Sequence, residues 1–181
     1  DALASFDWNK REVVQSFGCT IANHWDDVTN CSTNFLYMPL EVFSPRLHEI
    51  IQMRSLLGLR SPVHSMARLL NPLHSPLVLQ GIFHPPYSPI HQHSAALLGY
   101  LKTIVIKGEG GEFEVNPDND VQVRSVIEGD LSDTVWPRSF SKRHMKPDTL
   151  SLAHMKQVWQ GEAEDEYAET AIINTAALVL Q

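Results

Sequence analysis

Cysteine is scarce in this sequence: of 181 residues only Cys19 and Cys31 carry thiols, and neither sits in a CxxC or Cys/His ligand spacing. A disulfide framework and a zinc site are excluded on that basis, and a reducing cytoplasm is the compartment that fits. No apolar run approaches the roughly 18–20 residues that a membrane-spanning helix needs, so no membrane partner is expected. Internal repeats, low-complexity tracts and Ser/His/Asp or Cys/His nucleophile patterns are also missing, and no catalytic residue is assigned. An initiator methionine is lacking as well. Asp1 stands first and Gln181 ends a helical pattern without a cap, so further sequence is expected on both sides. What is present, 43% hydrophobic residues over this length, suffices for one sizeable core and leads to the expectation of one partial domain over residues 1–181.

Charge is unevenly spread. Residues 1–107 carry eight Lys/Arg against seven Asp/Glu, whereas residues 108–181 carry six against fourteen. A mildly basic half with clustered arginines suits phosphates; an acidic half repels a polyanion unless its carboxylates face elsewhere or hold metal.

Hydrophobic spacing predicts a short helix over 8–17 ended by Gly18, a strand at Phe35–Pro39, and a helix opened by Ser44-Pro45 and closed at Gly58. Residues 77–83, 88–99 and 103–107 read as strand, crossover helix and strand, a unit whose two strands run parallel and whose ligands bind outside the strands' carboxyl ends. A hairpin follows, VQVRSVI pairing with the stretch to Trp136 around a Gly129-Asp130 turn. Helices over 149–160 and 165–180 complete the chain, the last with Ile172, Ile173, Ala176 and Leu180 on one face. The fold class is α/β: a mostly parallel sheet flanked by helices, with a β-hairpin.

Several motifs then occur in one order. Phe35-Leu36-Tyr37-Met38-Pro39 and Ser44-Pro45 precede MRSLLGLRSPVHSMARLLNPL, in which Arg54, Leu57, Gly58, Arg60, Leu69, Asn71 and Pro72 fall at fixed spacing. His84-Pro85-Pro86-Tyr87, the strand before Gly108, and Asn174-Thr175-Ala176-Ala177 follow. This series resembles the second half of the anthranilate phosphoribosyltransferase family. The resemblance implies an incomplete domain without the family's N-terminal helical part, and a homodimer formed through that part. The family's G-T-G-G-D loop and K-H-G-N-R segment, which grip phosphoribosyl pyrophosphate, have no counterpart within these residues.

The departures point in one direction. Ala67-Arg68 replaces a Gly-Pro, adding a cation, and Phe113 stands where the first carboxylate of the family's metal-binding pair belongs, leaving Glu114 as the match. These changes resemble the family's divergent, nucleic-acid-binding branch more than its tryptophan-pathway enzymes. The expectation is a phosphoribosyltransferase-family protein diverged toward binding nucleic acid or a phosphorylated nucleotide-like ligand. The alternative is a working transferase that moves phosphoribosyl from phosphoribosyl pyrophosphate to an aromatic amine.

The candidate residues are accordingly of two kinds. Arg54 matches the arginine that meets the acceptor's carboxylate in the enzymes, a task for a planar bidentate donor, with an exposed surface pair as the other explanation. Arg60, His64 and Arg68 follow at four-residue steps; if residues 63–70 are helical, His64 and Arg68 share a face and, with Arg46 and His48, form a phosphate-facing strip. Gly108, Gly110 and Gly111 after a strand allow close approach to a ligand and expose backbone N–H groups, or make a plain turn. Glu112 and Glu114 offer hard oxygen ligands for Mg²⁺, against a solvated acidic loop. His91 and His93 lack a third metal ligand and face different sides of a helix. Residues 138–146 form a second basic stretch that could track a phosphate backbone or lie as a solvated loop.

Overall fold

The computed structural model describes residues 10–58, 62–145 and 151–181. Trp8 and Asn9 of the first predicted helix, Arg60, Lys146 and the first residues of the 149–160 helix lie outside them. The chain divides between Pro72 and Leu73 into two compact units. Among the described residues no helix is long and apolar enough to cross a membrane.

In the first unit, α1 (Lys10–Ser16) ends at Gly18, whose φ of 76° is the left-handed conformation that closes a helix. Two residues of β1 (Thr20–Ile21) pair in parallel with two of β2 (Leu36–Tyr37), with the short α2 (Asp26–Thr29) between them. The strand expected at 35–39 is therefore present but short, because Pro39 cannot donate to a ladder and instead leads into α3 (Leu40–Phe43). The helix expected from Ser44 to Gly58 divides at Met53 into α4 (Pro45–Gln52) and α5 (Arg54–Leu57), and Gly58 closes it at φ 67°. Pro45 takes the first helical position as expected, but the Ser44 side chain makes no capping hydrogen bond. α6 (Val63–Met66) runs into a 3₁₀ turn at Ala67–Leu69.

The second unit is built on the expected crossover. β3 (Leu77–Ile82), α7 (Ser88–Leu97) and β4 (Lys102–Lys107) place the two strands parallel and in register from Leu77 opposite Lys102 to Ile82 opposite Lys107. The hairpin β5 (Val121–Ile127) and β6 (Asp130–Trp136) extends the sheet antiparallel, giving the order β3-β4-β5-β6. Its turn lies one residue earlier than Gly129-Asp130. Ile127 pairs with Asp130, and Glu128 and Gly129 both take positive φ, at 52° and 92°. That geometry is the primed two-residue turn whose twist matches the strands.

β4 is buried along nearly its whole length, as a strand covered on both faces must be. On one face Ile104 and Ile106 join Val121, Val123, Val115 and Leu178, with Phe113 and Trp136 packed at the margin. Leu178 belongs to α9 (Glu166–Leu180), which follows α8 (Leu152–Gln160); Ser151 and Asp165 cap the two helices through their side chains. The buried residues of α9 are Ala171 and Leu178, whereas the expected apolar face of Ile172, Ile173, Ala176 and Leu180 is exposed. Thr175 fixes this rotation of the helix, since its hydroxyl accepts from Val115 N at 2.9 Å and donates to the Ala171 carbonyl at 2.7 Å.

The other face of the sheet meets α7, which buries Ser88, His91, Gln92 and Ala95, one stripe at helical spacing. This contact is unusually polar. His91 Nδ1 lies 2.8 Å from Gln80 Oε1, and Gln92 Nε2 donates to the carbonyls of Ser125 and Ser132 and to Asp133 Oδ1 at 3.0–3.1 Å. One glutamine thus ties the crossover helix to both strands of the hairpin.

Candidate functional site

The carboxyl ends of β3 and β4 lie side by side, so the loops that leave them, Phe83–Tyr87 and Gly108–Glu114, share one edge of the sheet. Glycine makes this edge possible. A Cβ on Gly81 would stand 2.2 Å from the Glu112 carbonyl carbon, and one on Gly108 would stand 2.2 Å from the Glu112 carbonyl oxygen. The loop after β4 therefore folds back directly over both strand ends.

The Glu112 carboxylate turns into its own loop, accepting from the backbone N–H of Glu109 at 2.6 Å and of Gly110 at 2.7 Å. Two of the N–H groups expected to greet a ligand thus already hold an anion supplied by the chain. The next side chain, Phe113, packs against the hydrophobic core. Among the described residues no three His, Cys, Asp or Glu side chains gather as metal ligands. Both carboxylate oxygens of Glu112 accept from amides of the loop.

Crowding of the Glu114 carboxyl by the surrounding protein, and secondarily the charges of Glu112 and Glu109, raise its pKa above the ordinary glutamate value. A carboxyl raised in the folded state opposes folding when ionised. The penalty is absent below the unfolded pKa of about 4.3, grows as pH climbs through the raised value and is complete above it. Glu114→Gln is therefore expected to raise the melting temperature of the protein at pH 7 by roughly 2–5 °C, a gain kept small by the solvent that reaches its exposed edge. Near pH 3.5 the two proteins should melt together, and thermal denaturation at both pH values checks this.

Behind the loop, the segment 138–145 crosses the turn at Asn116–Asp120. Ser139 N and Phe140 N donate to the Pro117 carbonyl, and Asn174 Nδ2 donates to Ser139 Oγ at 2.8 Å. Asp118, nearly buried, accepts from both the backbone N–H and Nδ1 of His144, at 2.9 and 2.7 Å. Burial pushes its carboxyl up, but these hydrogen bonds, with the His144 and Arg143 charges, outweigh it and leave the pKa lowered. His144 in turn stands edge-on to Phe140 and Tyr167. Burial, followed by the charges of Glu114, Glu109, Asp118 and Glu112, raises the Tyr167 pKa. The basic stretch is thus folded against acidic neighbours: Arg138 Nε lies 3.8 Å from Asp120 and Arg143 the same distance from Glu109.

On the α7 side of the same edge opens a cleft of about 480 Å³, lined among others by Ile82, Pro85, Lys107, Asn119, Gln122 and Arg124. Arg124 is ion-paired with Asp133 on β6, and its Nε is buried with no partner among the described residues; Gln80 Nε2 and Thr103 Oγ1 share that condition.

The described residues of the expected phosphate-facing strip belong to the first unit. Arg54 opens α5 and is exposed, as is Arg46. His64 and Arg68 stand four residues apart in the continuous helical stretch from Val63 to Leu69, so the condition for a shared face is met, and both are half-buried. His48 lies 3.5 Å from Glu41. In α7, His91 is buried on Gln80 while the exposed His93 bonds the Pro89 carbonyl at 2.7 Å, opposite roles that fit the expected divergence of the pair. Lys107, Arg124 and the Asp118–His144 pair escaped the sequence reading. Polar alternation inside VQVRSVI and the turn-forming run Asn116–Asp120 were the signals available for two of them.

No protein-family model matches the chain. An anthranilate phosphoribosyltransferase of Polynucleobacter necessarius is 23% identical over 151 residues, covering 81% of this chain and 44% of the relative. One of Paraburkholderia phymatum is 27% identical over 127 residues, covering 70% and 36%. An uncharacterized protein of Aquifex aeolicus is 28% identical over 152 residues, covering 81% and 48%. The chain thus spans less than half the length of these relatives.

Proposed function

From the chain's distant relationship to the anthranilate phosphoribosyltransferases, we propose that it is a phosphoribosyltransferase-like module diverged toward binding nucleic acid or a phosphorylated nucleotide-like ligand. The observation that carries this reading is the fate of the segment after β4. In the family resemblance this segment carries a pair of metal-binding carboxylates. Here Phe113, half-buried, packs against the margin of the core, and the Glu112 carboxylate accepts from two amides of its own loop. Mg²⁺ is commonly held by one or two carboxylates, with water and substrate phosphate completing its octahedron, and with Phe113 in place of the first carboxylate only Glu114 of the family's pair remains.

The arginines of the first unit supply the other half of the reading. Arg54 and Arg46 are exposed, and Arg68 follows His64 by one helical turn. Contacts from such residues go to phosphates and ignore base sequence. Titration of a fluorescent single-stranded oligonucleotide with the protein at low salt is the test. Saturable binding that weakens as salt rises is expected, and no binding at low salt would remove the nucleic-acid part.

The working transferase is the second reading, favoured by the names of the relatives. There Arg54 would orient an aromatic amine through its carboxylate, and positioning with charge stabilisation would supply the catalysis.

A further inference from the structure

Resting on the phosphate-binding part of that reading, we propose that the cleft at the carboxyl ends of β3 and β4 is a site for a nucleoside monophosphate, its phosphate held by Lys107 and Arg124. These two cations share a face of the sheet. Val105 and Arg124 are direct partners across β4 and β5, and Lys107 lies two residues beyond Val105, so the long side chains are diagonal neighbours. Each has donor capacity to spare. Arg124 gives one terminal nitrogen to Asp133, while its buried Nε–H has no acceptor among the described residues. Among the described residues Lys107 Nζ reaches only the neighbouring Gly108 carbonyl, at 3.4 Å. Both side chains line the cleft, Arg124 with about a quarter of its side chain exposed, so a ligand oxyanion there meets charge-assisted donors from both.

Two carboxylates also line the cleft, Glu109 and Asp120, but each has an arginine of the 138–143 segment 3.8 Å away. The lining is therefore not a net repeller of phosphate. The volume of about 480 Å³ suits one nucleotide and is too small for a duplex or a long single strand. Ile82 and Pro85 offer an apolar wall for a base, and the amides of Asn119 and Gln122 offer both donors and acceptors to its edge. Two amides of the neighbouring glycine loop, those of Glu109 and Gly110, already hold the Glu112 carboxylate, so the phosphate is assigned to the two cations instead.

The test is a titration of the protein with AMP, adenosine and inorganic phosphate, read by calorimetry and by amide NMR shifts. AMP is expected to bind with a Kd of about 1 mM or tighter, at least roughly tenfold more tightly than adenosine, with shifts concentrated at 107–109 and 119–124. Lys107→Glu and the milder Lys107→Gln should weaken AMP by about tenfold or more, whereas Lys102→Glu, at the other end of the same strand, should not. AMP binding that is absent, equal to that of adenosine, or indifferent to Lys107 overturns the proposal, even if oligonucleotide binding through the first unit persists. Lys107-dependent AMP binding without oligonucleotide binding upholds it and removes the nucleic-acid part of the broader reading instead.

Discussion

Gly81→Ala is expected to destabilise the second unit by about 3 kcal/mol or more, lowering its melting temperature by more than roughly 10 °C. The new methyl would meet the backbone carbonyl carbon and oxygen of Glu112 at 2.2 and 2.3 Å and the Gly111 oxygen at 2.5 Å. Backbone atoms have no rotamer with which to move aside, so either the loop lifts or β3 shifts out of register with β4. A lifted loop separates Glu112 from its site above Gly108 and loosens the wall of the cleft. Gly99→Ala is the matched comparison. Gly99 has a φ of 72° with open space around it, so its substitution carries only the left-handed penalty of about 1–2 kcal/mol. Melting curves of the two variants, with amide shifts across residues 108–114, separate close approach from backbone conformation; equal losses would refute the claim that the loop rests on Gly81.

The crossover was legible because Leu77–Ile82 and Thr103–Lys107 are dense in β-formers, with a helix-period segment between them. That pattern alone placed Gly108 at the edge formed by the carboxyl ends of the parallel strands. The hairpin was legible from alternation, yet its turn was misplaced by one residue, since a non-glycine at positive φ such as Glu128 leaves no mark in composition. Which face of α9 is buried was not legible for a different reason. Ile172 and Ile173 are more apolar than Ala171 and Thr175, but the helix is oriented by the Thr175 hydroxyl, a single long-range hydrogen bond that periodicity does not register. The same limit hid the site chemistry. Nothing in GEGGEFE reveals that the fifth residue's carboxylate returns to the amides of the second and third, or that the sixth packs against the core.

A triple change of Arg54, Arg60 and Arg68 to alanine is expected to reduce oligonucleotide affinity by about a hundredfold near physiological salt. Each phosphate neutralised contributes roughly 0.7 log unit of affinity per log unit of salt on single strands and 0.9 on duplex DNA. Removing three contacts should therefore flatten the slope by about two to three units. The control is the triple replacement of Glu162, Glu164 and Glu166 by glutamine, in the acidic C-terminal part, which should leave the slope nearly unaltered. A slope indifferent to the three arginines would move the contact away from the first unit and return weight to the transferase.

On the proposed reading the segment after β4 does not assist transfer from phosphoribosyl pyrophosphate, because Phe113 packs against the margin of the core and Glu112 serves its own loop. The most direct measurement is a product-forming assay with phosphoribosyl pyrophosphate, anthranilate and Mg²⁺, run on the protein and on its Arg54→Ala variant. The account predicts product at the uncatalysed background for both. Product formation well above background that collapses with Arg54→Ala would contradict it and identify the protein as a working transferase.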